Sequence, residues 1–219
     1  MKVWNWEGFW GYFTNLYLLE GALWTIGLTI STLVFGGFLG LLLAVMRLSK
    51  HKALSRAAEV YVWIFRGTPL LVQLIIIYTG LPQLGLVRFT VLESAVVGLA
   101  LNEAAYLSEI LRGGILSVAK GQTEAARALG LKPYQIFRKV VLPQALRVIV
   151  PPMTSQYLNL TKNSSLAVAI GYPELVSIAN TTINQTGQAI EGIAIIMAVY
   201  LTISLAISAF MNWYNARLR

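Results

Sequence analysis

Cysteine and aspartate do not occur in the 219 residues, and histidine occurs once, at His51. The lack of cysteine excludes disulfide frameworks and thiolate metal centres, and a lone histidine excludes a histidine-rich metal site. Charge is scarce as well: 12% of the residues are ionisable Asp, Glu, Lys or Arg, against roughly 25% in an ordinary soluble domain. With 57% of residues apolar, the composition is that of an integral membrane protein. Seventeen Lys and Arg against nine Glu give a net charge of +8. That balance would suit nucleic acid or an anionic bilayer surface, and the placement of the charges decides between them.

A bilayer core of about 30 Å takes about 20 apolar helical residues to cross. Gly21 to Met46 is uncharged over 26 residues and Gly192 to Ala216 over 25, and these are the first and last predicted spans. Three apolar stretches between them carry charge: 58–80 holds Glu59 and Arg66, 93–117 holds Glu103, Glu109 and Arg112, and 145–170 holds Arg147 and Lys162. The expectation is therefore an all-α integral membrane protein with five transmembrane helices, forming a single domain over 1–219.

Five spans put the termini on opposite sides, and basic residues near span ends mark the cytoplasmic one. Arg47, Lys50, Lys52 and Arg56 fall in the first loop; Arg112, Lys120, Arg127, Lys132, Arg138, Lys139 and Arg147 fall in or beside the third; Arg217 and Arg219 end the chain. That is 13 of 17 basic residues on one side, with Lys2, Arg66, Arg88 and Lys162 elsewhere. The N-terminus is predicted outside and the C-terminus inside, and nucleic acid is not needed to explain the charge. The aromatic-rich segment 1–20, with Trp4, Trp6, Phe9, Trp10, Tyr12, Phe13 and Tyr17, lacks the form of a secretory leader. It reads as an outer interfacial segment, because Trp and Tyr favour the headgroup zone.

The loop 117–140 is the informative stretch. Gln122 to Leu129 are mostly good helix formers, Gly130 is placed as a C-terminal cap and Pro133 hinders continuation, which predicts a helix of about two turns. Ala125, Ala126, Ala128 and Leu129 would give it a smooth face, suited to another protein's groove or to packing on its own bundle. Glu124-Ala125-Ala126, three residues, Gly130, nine residues, then Val140, one residue and Leu142-Pro143 resembles the EAA signature of bacterial ABC importer permeases. The surrounding Glu109-Ile110-Leu111-Arg112-Gly113-Gly114-Ile115, Gly121-Gln122, Pro151-Pro152 and Phe65-Arg66-Gly67-Thr68-Pro69-Leu70 are similar to the polar amino-acid branch of that family.

The resemblance implies the transmembrane domain of a type I ABC importer in a bacterial inner membrane. It implies two ATPase subunits inside, a second permease subunit that is either this chain again or a sister chain, and a solute-binding receptor outside. Glu124, Ala125, Ala126, Leu129 and Gly130 would form the coupling helix seated in an ATPase groove. ATP and magnesium would belong to that partner; this chain has no Gly-x-x-x-x-Gly-Lys-Ser/Thr phosphate loop, so it is expected to bind no cofactor and to catalyse no covalent chemistry.

Ionisable groups at mid-bilayer cost about 2.5 to 3.5 kcal/mol on insertion scales, so each needs a partner or a polar cavity. Glu109 and Arg112, three apart on one helix, are expected to pair. Glu103, beside Asn102, has no basic neighbour; it either lines a pathway or bonds helices together. Pro69 should interrupt its helix, leaving Arg66 either to satisfy freed carbonyls or to attract a carboxylate. Gln156, Asn159 and Asn163 recur at helical spacing and share one face. Such amides supply both donors and acceptors for a zwitterion, although they could equally glue helices together. In family members that take cationic amino acids, acids often stand at the positions of Gln156 and Asn163. Neutral amides here argue against a cationic substrate and favour a neutral polar or acidic amino acid. Two other readings stand: a secondary transporter with Glu103 as its coupling carboxylate, and a permease for another small solute such as methionine.

Overall fold

The computed structural model describes residues 4–218; Lys2 and Arg219 of the charge pattern lie outside the described residues. Every regular element among the described residues is helical. A short amphipathic α1 (Trp6–Phe13) leads into α2 (Leu16–Arg47), followed by α3 (Lys52–Gly67), α4 (Leu70–Ile75), α5 (Leu81–Gln83), α6 (Val91–Leu116), α7 (Lys120–Ala128), α8 (Pro133–Ile136), α9 (Leu142–Asn163), α10 (Leu175–Thr186) and α11 (Ala189–Leu218). Wide π turns at Ile76–Gly80 and Phe137–Val141 join α4 to α5 and α8 to α9, and a 3-10 stretch, Ser164–Ile170, prolongs α9.

Two helices, α2 and α11, are long and apolar enough by themselves to cross a membrane. Two further crossings are available if each bent pair counts as one: α3 with α4–α5, bent by 104°, and the α8–α9 unit with α10, bent by 56°. The 26 residues of α6 rise about 39 Å at about 1.5 Å each, but Glu93, Glu103, Glu109 and Arg112 interrupt its apolar character. The bends follow from local chemistry. Pro69 disfavours a helical Thr68, whose backbone is extended at φ −118°, ψ 147°. Gly171 supplies the left-handed turn, φ 84°, between α9's 3-10 extension and α10.

Helix α6 lies at the centre, packed against α2, α3, α4 and α9, and α11 lies along α9. Close approach of α2 to α6 rests on the glycine pair of its Gly-x-x-x-Gly motif. A Cβ at Gly36 would stand 3.1 Å from the Ala100 carbonyl oxygen, and one at Gly40 would stand 3.1 Å from that of Ala104. Leu28, Leu74, Leu99, Leu160 and Tyr172 form the largest apolar core at this junction. Polar clamps complete it. The Tyr61 hydroxyl donates to the Leu101 carbonyl at 2.8 Å, tying α3 to α6. Glu109 accepts from Arg112 at 3.1 Å, as its spacing predicted, and also pairs with Arg47 of α2.

The aromatic segment is more than a surface anchor. Tyr12 is buried, and its hydroxyl meets that of Thr186 at 2.9 Å; the Asn5 N–H donates to a Glu191 carboxylate oxygen at 2.7 Å. The stretch from Glu174 to Glu191 is mostly the helix α10. Leu175 and Ala179 are fully buried there, and Glu174 caps the helix by accepting the Val176 and Ser177 N–H groups while Tyr200 of α11 donates to it at 3.0 Å. A buried acid at a helix start is stabilised by those unpaired donors.

Candidate functional site

The break at Pro69 opens the site. Freed carbonyls inside a helical bundle must find donors, and the side chain that supplies them is not Arg66. Gln73 donates to the Phe65 carbonyl at 2.9 Å, to the Thr68 carbonyl at 3.1 Å and to the Thr68 hydroxyl at 2.8 Å. Asn102 of α6 donates to the same Phe65 carbonyl at 3.0 Å and to the Gln73 side-chain oxygen at 3.1 Å. Arg66 is exposed, its guanidinium 5.1 Å from the centre of the Tyr106 ring.

Against this clamp lies a hollow of about 360 Å³, lined by Thr68, Pro69, Leu70, Asn102, Tyr106, Gln156, Asn159 and Asn163. The three amides predicted to share a face of α9 come together there: Gln156 mostly buried, Asn163 half-buried and Asn159 exposed. Among the described residues no carboxylate or ammonium lines the hollow, so its walls offer amide and hydroxyl groups that both donate and accept. Glu103 stands behind this face. It is 2% exposed, and its Oε2 accepts a 2.8 Å hydrogen bond from the Gln156 amide. Arg66 belongs to a neighbouring recess with Val62, Trp63 and Gly67, and Tyr106 borders both spaces. Sequence reasoning missed Gln73 and Tyr106. Tyr106 was legible in principle, one helical turn after Asn102. Gln73 had only its polarity within an apolar run to mark it.

The second candidate element is α7. Its end is a Schellman turn: Gly130, at φ 77°, donates its N–H to the Arg127 carbonyl, and Leu131 donates to that of Ala126. Glu124, Ala125, Leu129 and Gly130 are exposed, Leu129 at 81%. Ala126 is not part of this face. It is buried against Ile136 and Val141, where it seats α7 on its own chain. Of these four exposed residues, the apolar Ala125 and Leu129 stand one helical turn apart on the surface of α7.

The model of the family described as binding-protein-dependent transport system inner membrane component matches residues 36–219. The octopine transport system permease protein OccM of Rhizobium meliloti is 39% identical over 213 residues, which cover 94% of this chain and 84% of that protein. The general L-amino acid transport system permease protein AapQ of Rhizobium johnstonii is 57% identical over 125 residues, 57% of this chain and 31% of that protein. The matched part of the chain thus spans about a third of the length of this relative and of two others. A crystal structure of an amino acid ABC transporter with histidines superposes with a TM-score of 0.89 at 34% identity, covering 99% of this chain and all of that one. On the extent of these matches, and on the EAA signature folded as a capped, exposed helix, the chain belongs to the binding-protein-dependent transport system inner membrane component family, the EAA-motif permeases of type I ABC importers.

Proposed function

We propose that the chain is the membrane permease subunit of an ATP-driven importer that moves a polar amino acid through the amide hollow by alternating access. The observation that carries this reading is the hollow itself, a space walled by Asn102, Gln156, Asn159 and Asn163 beside a helix break, with no carboxylate on its surface. Such walls match a zwitterion and leave a cationic side chain without a counter-charge. Neutral polar or acidic amino acids are the favoured class, in keeping with relatives named for general L-amino acid transport and for glutamate, glutamine, aspartate and asparagine transport.

In this reading the protein spans the bacterial inner membrane five times, counting α2, the two bent pairs, α6 and α11, with the N-terminus outside. Helix α7 then faces the cytoplasm, where the Ala125 and Leu129 face docks in a groove of one of two ATPase subunits. Closure of those subunits on ATP and magnesium is passed to the spans as a rigid-body movement. A second permease subunit and an extracytoplasmic receptor complete the assembly.

The test is to purify the tagged chain in mild detergent and assay ATP hydrolysis in lipid. An ATPase should copurify, with activity that rises on adding amino-acid-loaded receptor. A chain that emerges alone and takes up solute down an ion gradient overturns the reading and makes Glu103 a coupling carboxylate instead.

A further inference from the structure

We infer that Tyr106 is a selectivity residue: its ring is the partition between the amide hollow and Arg66, and it denies a solute's side-chain carboxylate the charge pairing that the guanidinium would otherwise offer. The inference rests on the hollow being the substrate path. Two spaces meet at the helix break, the hollow of about 360 Å³ and the Arg66 recess of about 320 Å³, and among the described residues Tyr106 is the one that borders both. On the α3 side the boundary falls between Gly67, which lines the recess, and Thr68, which lines the hollow. Gly67 brings no side chain to it, and a Cβ there would have nothing within 4 Å. The Thr68 hydroxyl is engaged within the break, donating to the Ile64 carbonyl at 2.7 Å and accepting from Gln73 at 2.8 Å. Closure of the boundary therefore falls to the aromatic ring from α6.

Two contacts set where that ring stands. Asn102, one helical turn before Tyr106, donates to the Phe65 carbonyl at 3.0 Å and pins this face of α6 against the break. Arg66 lies over the ring, its guanidinium 5.1 Å from the ring centre, and among the described residues no carboxylate is within ion-pair distance of it. Its charge and its fork of donors thus remain open to a carboxylate that could reach them. In the hollow a carboxylate meets amides and hydroxyls but no cation among the described residues, and a charge taken from water without a partner is costly. Removing the ring would join the two spaces into one nearly twice the hollow's volume. The same carboxylate would then reach the guanidinium, and ionised partners make stronger hydrogen bonds than neutral ones. A side-chain amide gains less from that exposure, so the ring decides how far the site separates glutamine from glutamate.

The test measures binding of labelled glutamine to the complete importer in lipid nanodiscs, without receptor, so that the receptor's own preference does not enter. Unlabelled glutamine and unlabelled glutamate displace the label, and the ratio of their midpoints is compared between variants. In Tyr106→Ala the ratio should shift toward glutamate by about fivefold or more, as a charged hydrogen bond becomes available. Adding Arg66→Gln to Tyr106→Ala should return it to the wild-type value. Tyr106→Phe, which keeps the ring, should leave it unchanged, and so should Arg66→Gln alone, because the guanidinium is screened from solute. A ratio that does not move in Tyr106→Ala while glutamine still binds overturns the inference and leaves Tyr106 a packing residue. If Tyr106→Ala does not fold, Arg66→Gln alone decides: a ratio that shifts against glutamate shows that Arg66 already reaches solute past the ring and overturns the inference, and an unchanged ratio supports it. Glutamine binding that is absent from the wild type, or unaltered in Asn159→Leu and Asn163→Leu alike, overturns the reading of the hollow together with the inference.

Discussion

The guanidinium of Arg66 lies 5.1 Å from the centre of the Tyr106 ring, and that ring also borders the amide hollow. Arg66 is thus placed one side chain away from the hollow. Its influence on a solute would pass through the position of Tyr106. A cation over an aromatic face at an exposed site is worth about 0.5–1 kcal/mol. Arg66→Gln and Tyr106→Leu should therefore each lower thermal stability slightly, and a double-mutant cycle in detergent should return a coupling of about that size. Strictly additive effects would show that the contact carries no energy.

The amide clamp at the helix break makes a larger prediction. Gln73→Leu strands the Thr68 carbonyl and leaves the Phe65 carbonyl to Asn102 alone. An intramolecular hydrogen bond contributes about 0.5–1.5 kcal/mol net, and the substitution removes several at once. The variant should unfold at clearly lower temperature than Arg66→Gln, by thermal denaturation of the detergent-solubilised protein. Equal losses would mean that Gln73 holds the break no more than Arg66 does.

At the glycine contact, Gly36→Val and Gly40→Val push a branched side chain into α6, where carbonyl oxygens stand 3.1 Å from the ideal Cβ positions. Overpacking of this kind costs about 1–3 kcal/mol. Gly37→Val, at a position with nothing within 4 Å of its Cβ, should cost far less, and a comparison of the three melting temperatures checks the assignment.

Two adjacent alanines of α7 should behave in opposite ways. Ala125 is exposed and Ala126 is buried against Ile136 and Val141. Ala125→Trp should insert and fold normally yet lose receptor-stimulated ATP hydrolysis, because the bulk meets the partner's groove. Ala126→Trp should lower folded yield, because the bulk meets the chain itself. The two are separated by measuring detergent-stable yield beside ATPase stimulation.

Much of this arrangement could be read from the residues. The uncharged runs became α2 and α11, Pro69 did break its helix, and Gly130 did close α7 with a left-handed turn. The amide stripe at Gln156, Asn159 and Asn163 was legible because helical spacing fixes which residues share a face. What could not be read was partnership across helices. Nothing local told that Gln73 and Asn102, rather than Arg66, would reach the freed carbonyls, or that Arg47 would join the Glu109 and Arg112 pair. Nor could a two-turn helix reveal which of its alanines faced inward, since Ala126 is turned by the packing of the following segment.

The central claim is that partner-driven ATP hydrolysis moves a polar amino acid through the amide hollow, and uptake into vesicles tests it most directly. The reconstituted importer, given ATP on the ATPase side and receptor with labelled glutamine on the other, should accumulate solute without any ion gradient, and Asn159→Leu should depress that uptake with the protein still folded. Accumulation that needs an ion gradient and ignores ATP, or uptake indifferent to Asn159→Leu and Asn163→Leu alike, would contradict the account.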